Sequence, residues 1–211
     1  SAITFTNDNA TLITASNAPG QAGEIALWKT TTLGKRLNWQ AHGGTIFDLA
    51  IAPDGKTLAT AGADRLVRFW SLAKGEQVMQ IEAHTAPVLS LAYKPDGALL
   101  ASGGADKELK IWDTKTREQK TVVTGHPGNI AAIAWPAKNA ELITASDDGA
   151  LRLCSESGTR PGKTWAKAGD LLHCLDVTAD GKLLYGGADN GRVYAWNRDG
   201  KITITLDPGK L

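Results

Sequence analysis

The sequence predicts an all-β chain of five consecutive four-stranded antiparallel sheets, and three observations predict it. The first is a repeat: Trp28, Trp70 and Trp112 stand 42 residues apart, and two further steps of 42 reach Cys154 and Trp196. The second is that other residue types keep the same step. His42, His84 and His126 hold one register, and Asp64, Asp106, Asp148 and Asn190 hold another. The third is local: short β-branched or Leu-rich runs alternate with Asp-Gly turns, which is the signal of hairpins. A single four-stranded sheet cannot hide both of its apolar faces from water. Sheets repeated at this period therefore pack face to face around an axis, as the blades of a β-propeller.

The strands follow in order within each period. In the third, Val88 to Tyr93 reads as strand a, Pro95-Asp96-Gly97 as a turn, Leu99 to Ser102 as strand b, Leu109 to Trp112 as strand c and Gln119 to Val123 as strand d. The second repeats this with Ile46 to Ile51, Leu58 to Thr60, Leu66 to Trp70 and Gln77 to Ile81. Two in-frame sets are expected to pack between blades: Phe5, Ile51, Tyr93, Trp135 and Val177 on strand a, and Trp39, Ile81, Val123 and Trp165 on strand d. Ile and Val replace the aromatic residues in register, so these positions read as core and not as a ligand cage. The whole of 1–211 reads as one domain, with blades near 1–40, 41–82, 83–124, 125–166 and 167–211.

Each histidine follows a small residue, in Ala41-His42, Ala83-His84 and Gly125-His126, and Trp112-Asp113 completes a Trp-Asp pair. With these pairs at this spacing the chain resembles the WD-repeat family. The resemblance implies a hydrogen-bonded network in each blade, made by the histidine before strand a, a Ser or Thr on strand b, the Asp of the b-to-c turn and the Trp of strand c. In this chain those residues are His42, Thr60, Asp64 and Trp70, then His84, Ser102, Asp106 and Trp112, then His126, Thr144 and Asp148, where Cys154 replaces the Trp. In the fifth period Ala168, Gly186 and Asn190 stand in the same places, so rigidity is expected to decline along the chain.

The first period departs from the others. About four extra residues lie within Ser16 to Gly23, and allowing for them Ser1 aligns with Phe47, so the chain starts inside strand a. At the other end Lys210 takes the next histidine position. The family most often closes with seven blades, so two outcomes are open: a closed five-bladed ring, or an arc of a larger ring. The arc is favoured, and it implies a second chain or fragment that supplies blades to its apolar ends.

Composition excludes several function classes. Apolar residues make up 42% and the net charge is +1, with Lys and Arg interspersed among Asp and Glu. There is no basic face for nucleic acid and no polybasic segment for a membrane surface. No apolar run approaches the ~20 residues that cross a bilayer. His84, Ser102 and Asp106 form a Ser/His/Asp set, but the neighbouring periods repeat it, and nucleophilic catalysis needs one activated hydroxyl in one cleft. The histidines of different blades cannot converge on one metal, and neither a metal nor any other cofactor is expected. Cys154 and Cys174 fall on different blades, read as free thiols, and lean towards a reducing, cytoplasmic setting.

The expected function is a non-catalytic scaffold for a protein or peptide. The resemblance places partner binding on the face built from the d-to-a and b-to-c loops. There Phe47, Leu89, Ala131 and His173 enter strand a, and Ala63, Ala105, Asp147 and Asp189 precede the turn Asp or Asn. Phe47, Leu89, Asp147, His173 and Asp189 are the candidate contacts, with Phe47 the leading anchor, and an extended ligand with a basic group suits the two acids. The alternative is a docking domain or subunit of a larger enzyme.

Overall fold

The structure is a computed structural model that describes residues 2–17, 21–136, 141–178 and 180–210. Ser1, residues 18–20 of the expected insertion and the Lys210 side chain lie outside that description. Each period folds into one antiparallel sheet with strands in chain order. The first sheet holds β1 (Ala2–Phe5), β2 (Thr11–Ser16), β3 (Gly23–Lys29) and β4 (Lys35–His42). The second holds β5 (Ile46–Ile51), β6 (Thr57–Gly62), β7 (Leu66–Ser71) and β8 (Gln77–Glu82). The third holds β9 (Val88–Tyr93), β10 (Leu99–Gly104), β11 (Leu109–Asp113) and β12 (Gln119–Val123). The fourth holds β13 (Ile130–Ala134), β14 (Glu141–Ser146), β15 (Ala150–Ser155) and β16 (Thr164–Lys167). The fifth holds β17 (Leu172–Val177), β18 (Leu183–Ala188), β19 (Val193–Asn197) and β20 (Ile202–Leu206). The expected all-β propeller of five blades is therefore the fold. The Pro-Asp-Gly turns close as expected, Gly97 taking a φ of 74° that a residue with a Cβ adopts only under strain.

Alternation along each strand gives every blade two faces. One carries Leu58 and Trp70 in the second blade, and packs on the blade before it. The other carries Val67 and Phe69, and packs on the blade after it. Ile51, Tyr93 and Val177 take part in these seams as expected, and so do Trp39, Ile81 and Val123. In the fourth blade Leu151 pairs with Ala166, so Ala166 takes the ladder position expected of Trp165. Trp165 is half-buried against the same core, and its Nε1 donates to the Arg198 carbonyl at 3.2 Å. Polar bonds cross the other seams too. Asn7 Nδ2 donates to the Pro53 carbonyl at 3.0 Å, the Leu91 amide to Asp48 at 2.8 Å, and Ser90 Oγ to the Ile130 carbonyl at 3.1 Å.

Five blades have four seams here, one core cluster for each consecutive pair. Among the described residues no cluster joins the fifth blade to the first. The faces that would form it are open. Ile3 is 67% exposed where its counterpart Leu49 is 7%, and Val193 is 37% exposed where Val67 is fully buried. Phe5 differs from the expectation for the same reason: it is 51% exposed, while Trp135 at the equivalent place is 5%. No described residue covers its face.

Candidate functional site

Two constellations occupy the loop face of the propeller: buried networks inside the second, third and fourth blades, and a central channel among the strands a. In the third blade the network is fully connected. Trp112 Nε1 donates to Ser102 Oγ at 2.8 Å, and Ser102 Oγ lies 2.8 Å from His84 Nε2. His84 Nδ1 lies 2.9 Å from Asp106 Oδ1, and Asp106 Oδ2 also accepts the Thr85 amide at 2.9 Å. Neutral His84 satisfies this chain with its proton on Nδ1, so that Ser102 donates to Nε2. Burial holds His84 below its ordinary pKa against the pull of Asp106, which favours that neutral form. The second blade repeats the chain through Trp70, Thr60, His42 and Asp64, at 3.0, 2.7 and 2.9 Å.

The distances match those of an acyl-transfer triad, but the chemistry does not follow. Ser102 is completely buried, and its hydroxyl already serves Trp112 and His84. An atom of a substrate has no path to it. What the network does is fix the d-to-a loop to the b-to-c turn, and in the third blade every member has a hydrogen-bond partner.

The fourth blade is wired differently. His126 Nε2 lies 3.1 Å from Thr144 Oγ1, but Asp148 bonds Arg152 instead of His126. Two sequence changes account for this. Strand b ends in Gly62 and Gly104 in the preceding blades, where a Cβ would fall 2.1 Å from His42 Nδ1 and 2.5 Å from His84 Nδ1. Ser146 stands at that position, and its hydroxyl bonds Asp148 and receives Arg152 Nη1 at 2.7 Å. Pro127 stands where Thr85 supplies an amide to Asp106, and proline has no N–H to give. His126 Nδ1 is left buried without a partner. Burial first, and then the nearby Arg152 charge, push His126 down to about 4. The same guanidinium holds Asp148 well below the usual carboxylate range. Cys154 fits at the Trp place, with Sγ 3.7 Å from both Thr144 Oγ1 and His126 Nε2.

In the fifth blade Gly186 provides no hydroxyl, and Trp196 Nε1 is buried without a partner. Leu172 and Leu175 fill the space instead. The first blade keeps the outer half of the network, Trp28 Nε1 donating to Thr14 Oγ1 at 3.0 Å. Thr14, Ser146 and Arg152 were not singled out in the sequence, although the in-frame change from Gly62 and Gly104 to Ser146 was a legible signal.

The channel is a cavity of about 440 Å³ framed by β1, β5, β9, β13 and β17. Phe47, Leu89, Ala131 and His173 all line it, so the strand-a entries converge as a set. Asp48 and Asp176 add carboxylates, and no Lys or Arg lines it among the described residues. Asp48 accepts the amides of Leu49 and Leu91, both at 2.8 Å, and burial pushes its carboxyl up to about 6. Asp189 reaches the rim through His173, whose Nε2 lies 2.9 Å from its Oδ1. Asp147 stands apart. Its carboxylate folds over Gly128, where a Cβ would lie 1.6 Å from Oδ1, and does not line the channel. Cys154 and Cys174 are both free, and no group of three or more metal-ligating side chains is found among the described residues. No helix among them is long and apolar enough to cross a membrane.

The family model described as "WD domain, G-beta repeat" matches residues 34–71, 75–113 and 117–155. The chain belongs to the WD-repeat family. Each matched span begins on or just before the last strand of one blade and ends with strand c of the next, so every WD repeat laces two blades together. The matched spans stop before β16 and the fifth blade, where the network residues are replaced. This WD-repeat chain is similar to the rat protein named guanine nucleotide-exchange factor SEC12, 39% identical over 80 residues, or 38% of this chain and 18% of the relative. It is similar to DDB1- and CUL4-associated factor 13 of Dictyostelium discoideum, 40% identical over 50 residues, covering 24% of the chain and 11% of the relative. Protein FIZZY-RELATED 1 of Arabidopsis thaliana is 35% identical over 49 residues, 23% of the chain and 10% of the relative. The chain thus matches less than a fifth of the length of each of these relatives.

Proposed function

We propose that this WD-repeat chain is a non-catalytic scaffold that holds an extended protein or peptide segment at the mouth of its central channel. One observation carries the reading: Phe47, Leu89 and His173 converge on a cavity that also holds Asp48 and Asp176 and is lined by no Lys or Arg among the described residues. An apolar side chain of the partner seats against Phe47 and Leu89, and a Lys or Arg faces the carboxylates. Asp189 supports the rim by orienting His173, while Asp147 contributes only to the outer surface. Nucleic acid does not suit a channel of this charge. A second chain or fragment that adds sheet to the open blade faces belongs to the same set of protein partners.

The test is selection from a random twelve-residue peptide library displayed on phage, against the intact chain and its Phe47→Ala variant. Selected peptides are expected to pair a basic residue with an apolar one and to lose at least tenfold in affinity with Phe47→Ala and with Asp176→Asn. Enrichment of acidic peptides, or unchanged binding by both variants, overturns the reading.

The similarity to a relative whose name is an exchange factor favours a second reading, a docking domain of a larger enzyme with catalysis elsewhere. The same peptide contacts serve both readings. Exchange activity in a longer polypeptide that contains these blades, lost with Phe47→Ala, would select the second.

A further inference from the structure

The c-to-d turn of the third blade breaks the repeat. Arg117 takes a φ of 68° there, a left-handed backbone that favours glycine. Gly75 holds the same place in the second blade, its amide donating to the Ser71 carbonyl as the Arg117 amide donates to that of Asp113. A Cβ on Gly75 would fall 2.8 Å from the ring of Trp39, whereas the third blade meets the smaller Ile81 at the position of Trp39 and has room for a side chain. The Arg117 guanidinium stacks on Phe69, its central carbon 4.7 Å from the ring centroid. Its N–H groups lie in the guanidinium plane, so stacking leaves them unspent. Arg68, Arg152, Arg192 and Arg198 all donate side-chain hydrogen bonds. Arg117 donates none among the described residues.

Arg117 lines a cavity of about 240 Å³ with Asp54, Thr57, Tyr93, Asp96 and Thr114, on the face opposite the loop face. The second and third blades, which form it, each have a neighbour on both sides. The Tyr93 hydroxyl is buried without a hydrogen-bond partner, and Ile51, Trp135 and Val177 at its register carry no hydroxyl. An acceptor seated between Tyr93 and Arg117 satisfies both. We propose that this cavity takes the carboxylate of an acidic side chain of a protein partner, with Arg117 as its anchor. A guanidinium held flat on an aromatic ring presents its fork to a carboxylate in two parallel N–H···O bonds. Asp54 and Asp96 each tie one oxygen into their own turn, accepting the amides of Lys56 and Ala98 at 2.8 and 2.9 Å. Their charge suits basic residues beside the acidic one, so the segment recognised carries both signs. The site lies across the molecule from the channel mouth and does not rest on the reading given for the channel.

Two-dimensional NMR of the intact chain tests it, with the Arg117 Nε–H cross-peak as reporter and the end-blocked tripeptide Lys-Glu-Lys as probe. The cross-peak is expected to shift to saturation, together with the amides of Tyr93 and Thr114. The analogue Lys-Gln-Lys is expected to bind at least fivefold more weakly. The amides of Phe47 and Leu89 are expected to stay still, which separates this site from the channel. Arg117→Gly places the residue of the second blade in a backbone that favours it, so the fold is expected to survive while Tyr93 and Thr114 cease to respond. Arg117→Gln, which keeps a long side chain, is expected to lose the response likewise. No saturable shift, equal binding of the Glu and Gln probes, or an undiminished response in both variants overturns the proposal, and Arg117 then serves only to pack on Phe69. A response confined to Phe47 and Leu89 overturns it too, while leaving the channel reading in place.

Discussion

Arg152 grips both carboxylate oxygens of Asp148, with Nη1 3.0 Å from Oδ1 and Nη2 bonding Oδ2. The second blade shows that an arginine at this position need not take the carboxylate from histidine. There Asp64 binds His42 at 2.9 Å and Arg68 at 3.1 Å together. Ser146 is therefore the wedge. In Ser146→Gly the carboxylate regains the space beside His126, and the His126 pKa is expected to rise from about 4 towards its ordinary value. Imidazole proton shifts followed through a pH titration measure this. An unmoved titration would place the cause elsewhere.

The converse change is expected to damage a complete network. A Cβ on Gly104 would lie 2.3 Å from Asp106 Oδ1 and 2.5 Å from His84 Nδ1, so Gly104→Ala displaces a buried hydrogen bond between two polar groups. Loss of about 2 to 4 kcal/mol is expected in urea denaturation. Gly43→Ala is the control, because nothing lies within 4 Å of a Cβ there, and it is expected to stay within about 0.5 kcal/mol of the parent.

Acid is expected to weaken the fold through its histidines. Burial lowers His42 and His84 and brings His126 to about 4. As pH falls from 6.5, the unfolded chain binds protons that the folded chain refuses. Stability present above pH 6.5 is then lost down to about pH 4, His126 contributing at most about 3 kcal/mol. Asp48 acts with the opposite sign. Raised to about 6, it takes up a proton in the folded state first, and so adds stability as pH falls from 6 towards 3.8. Urea midpoints between pH 7 and 4 are expected to fall less steeply in His126→Asn and more steeply in Asp48→Asn. Identical slopes in all three proteins would contradict both assignments.

Amide exchange is expected to follow the state of the network. In β10 and β11 every network member is bonded, whereas the fifth blade has Gly186 and an unpartnered Trp196 Nε1, with one face open to water. Amides of β18 and β19 are expected to exchange at least tenfold faster than their counterparts in β10 and β11. Equal protection would show that packing alone, without the network, sets local stability.

Much of this protein is legible in one dimension. The step of 42 and the two-residue alternation locate the strands, because both depend on neighbours close in sequence: β9 and β12 have the bounds the runs of residues predict. The network of the second and third blades is also legible, since Gly62 and Gly104 keep their room and each histidine meets the Asp of its own period. The tertiary structure alone decided where Asp148 turns. That choice depends on Ser146 and Arg152 bonding one carboxylate, on the amide that Pro127 lacks, and on the volume of a single hydroxyl that spacing does not record. It also decided the fate of Phe5, which has the residue type and register of a seam position but no described residue packed against its face. Repeats dictate what each blade is made of, whereas burial depends on whether another surface arrives to cover it.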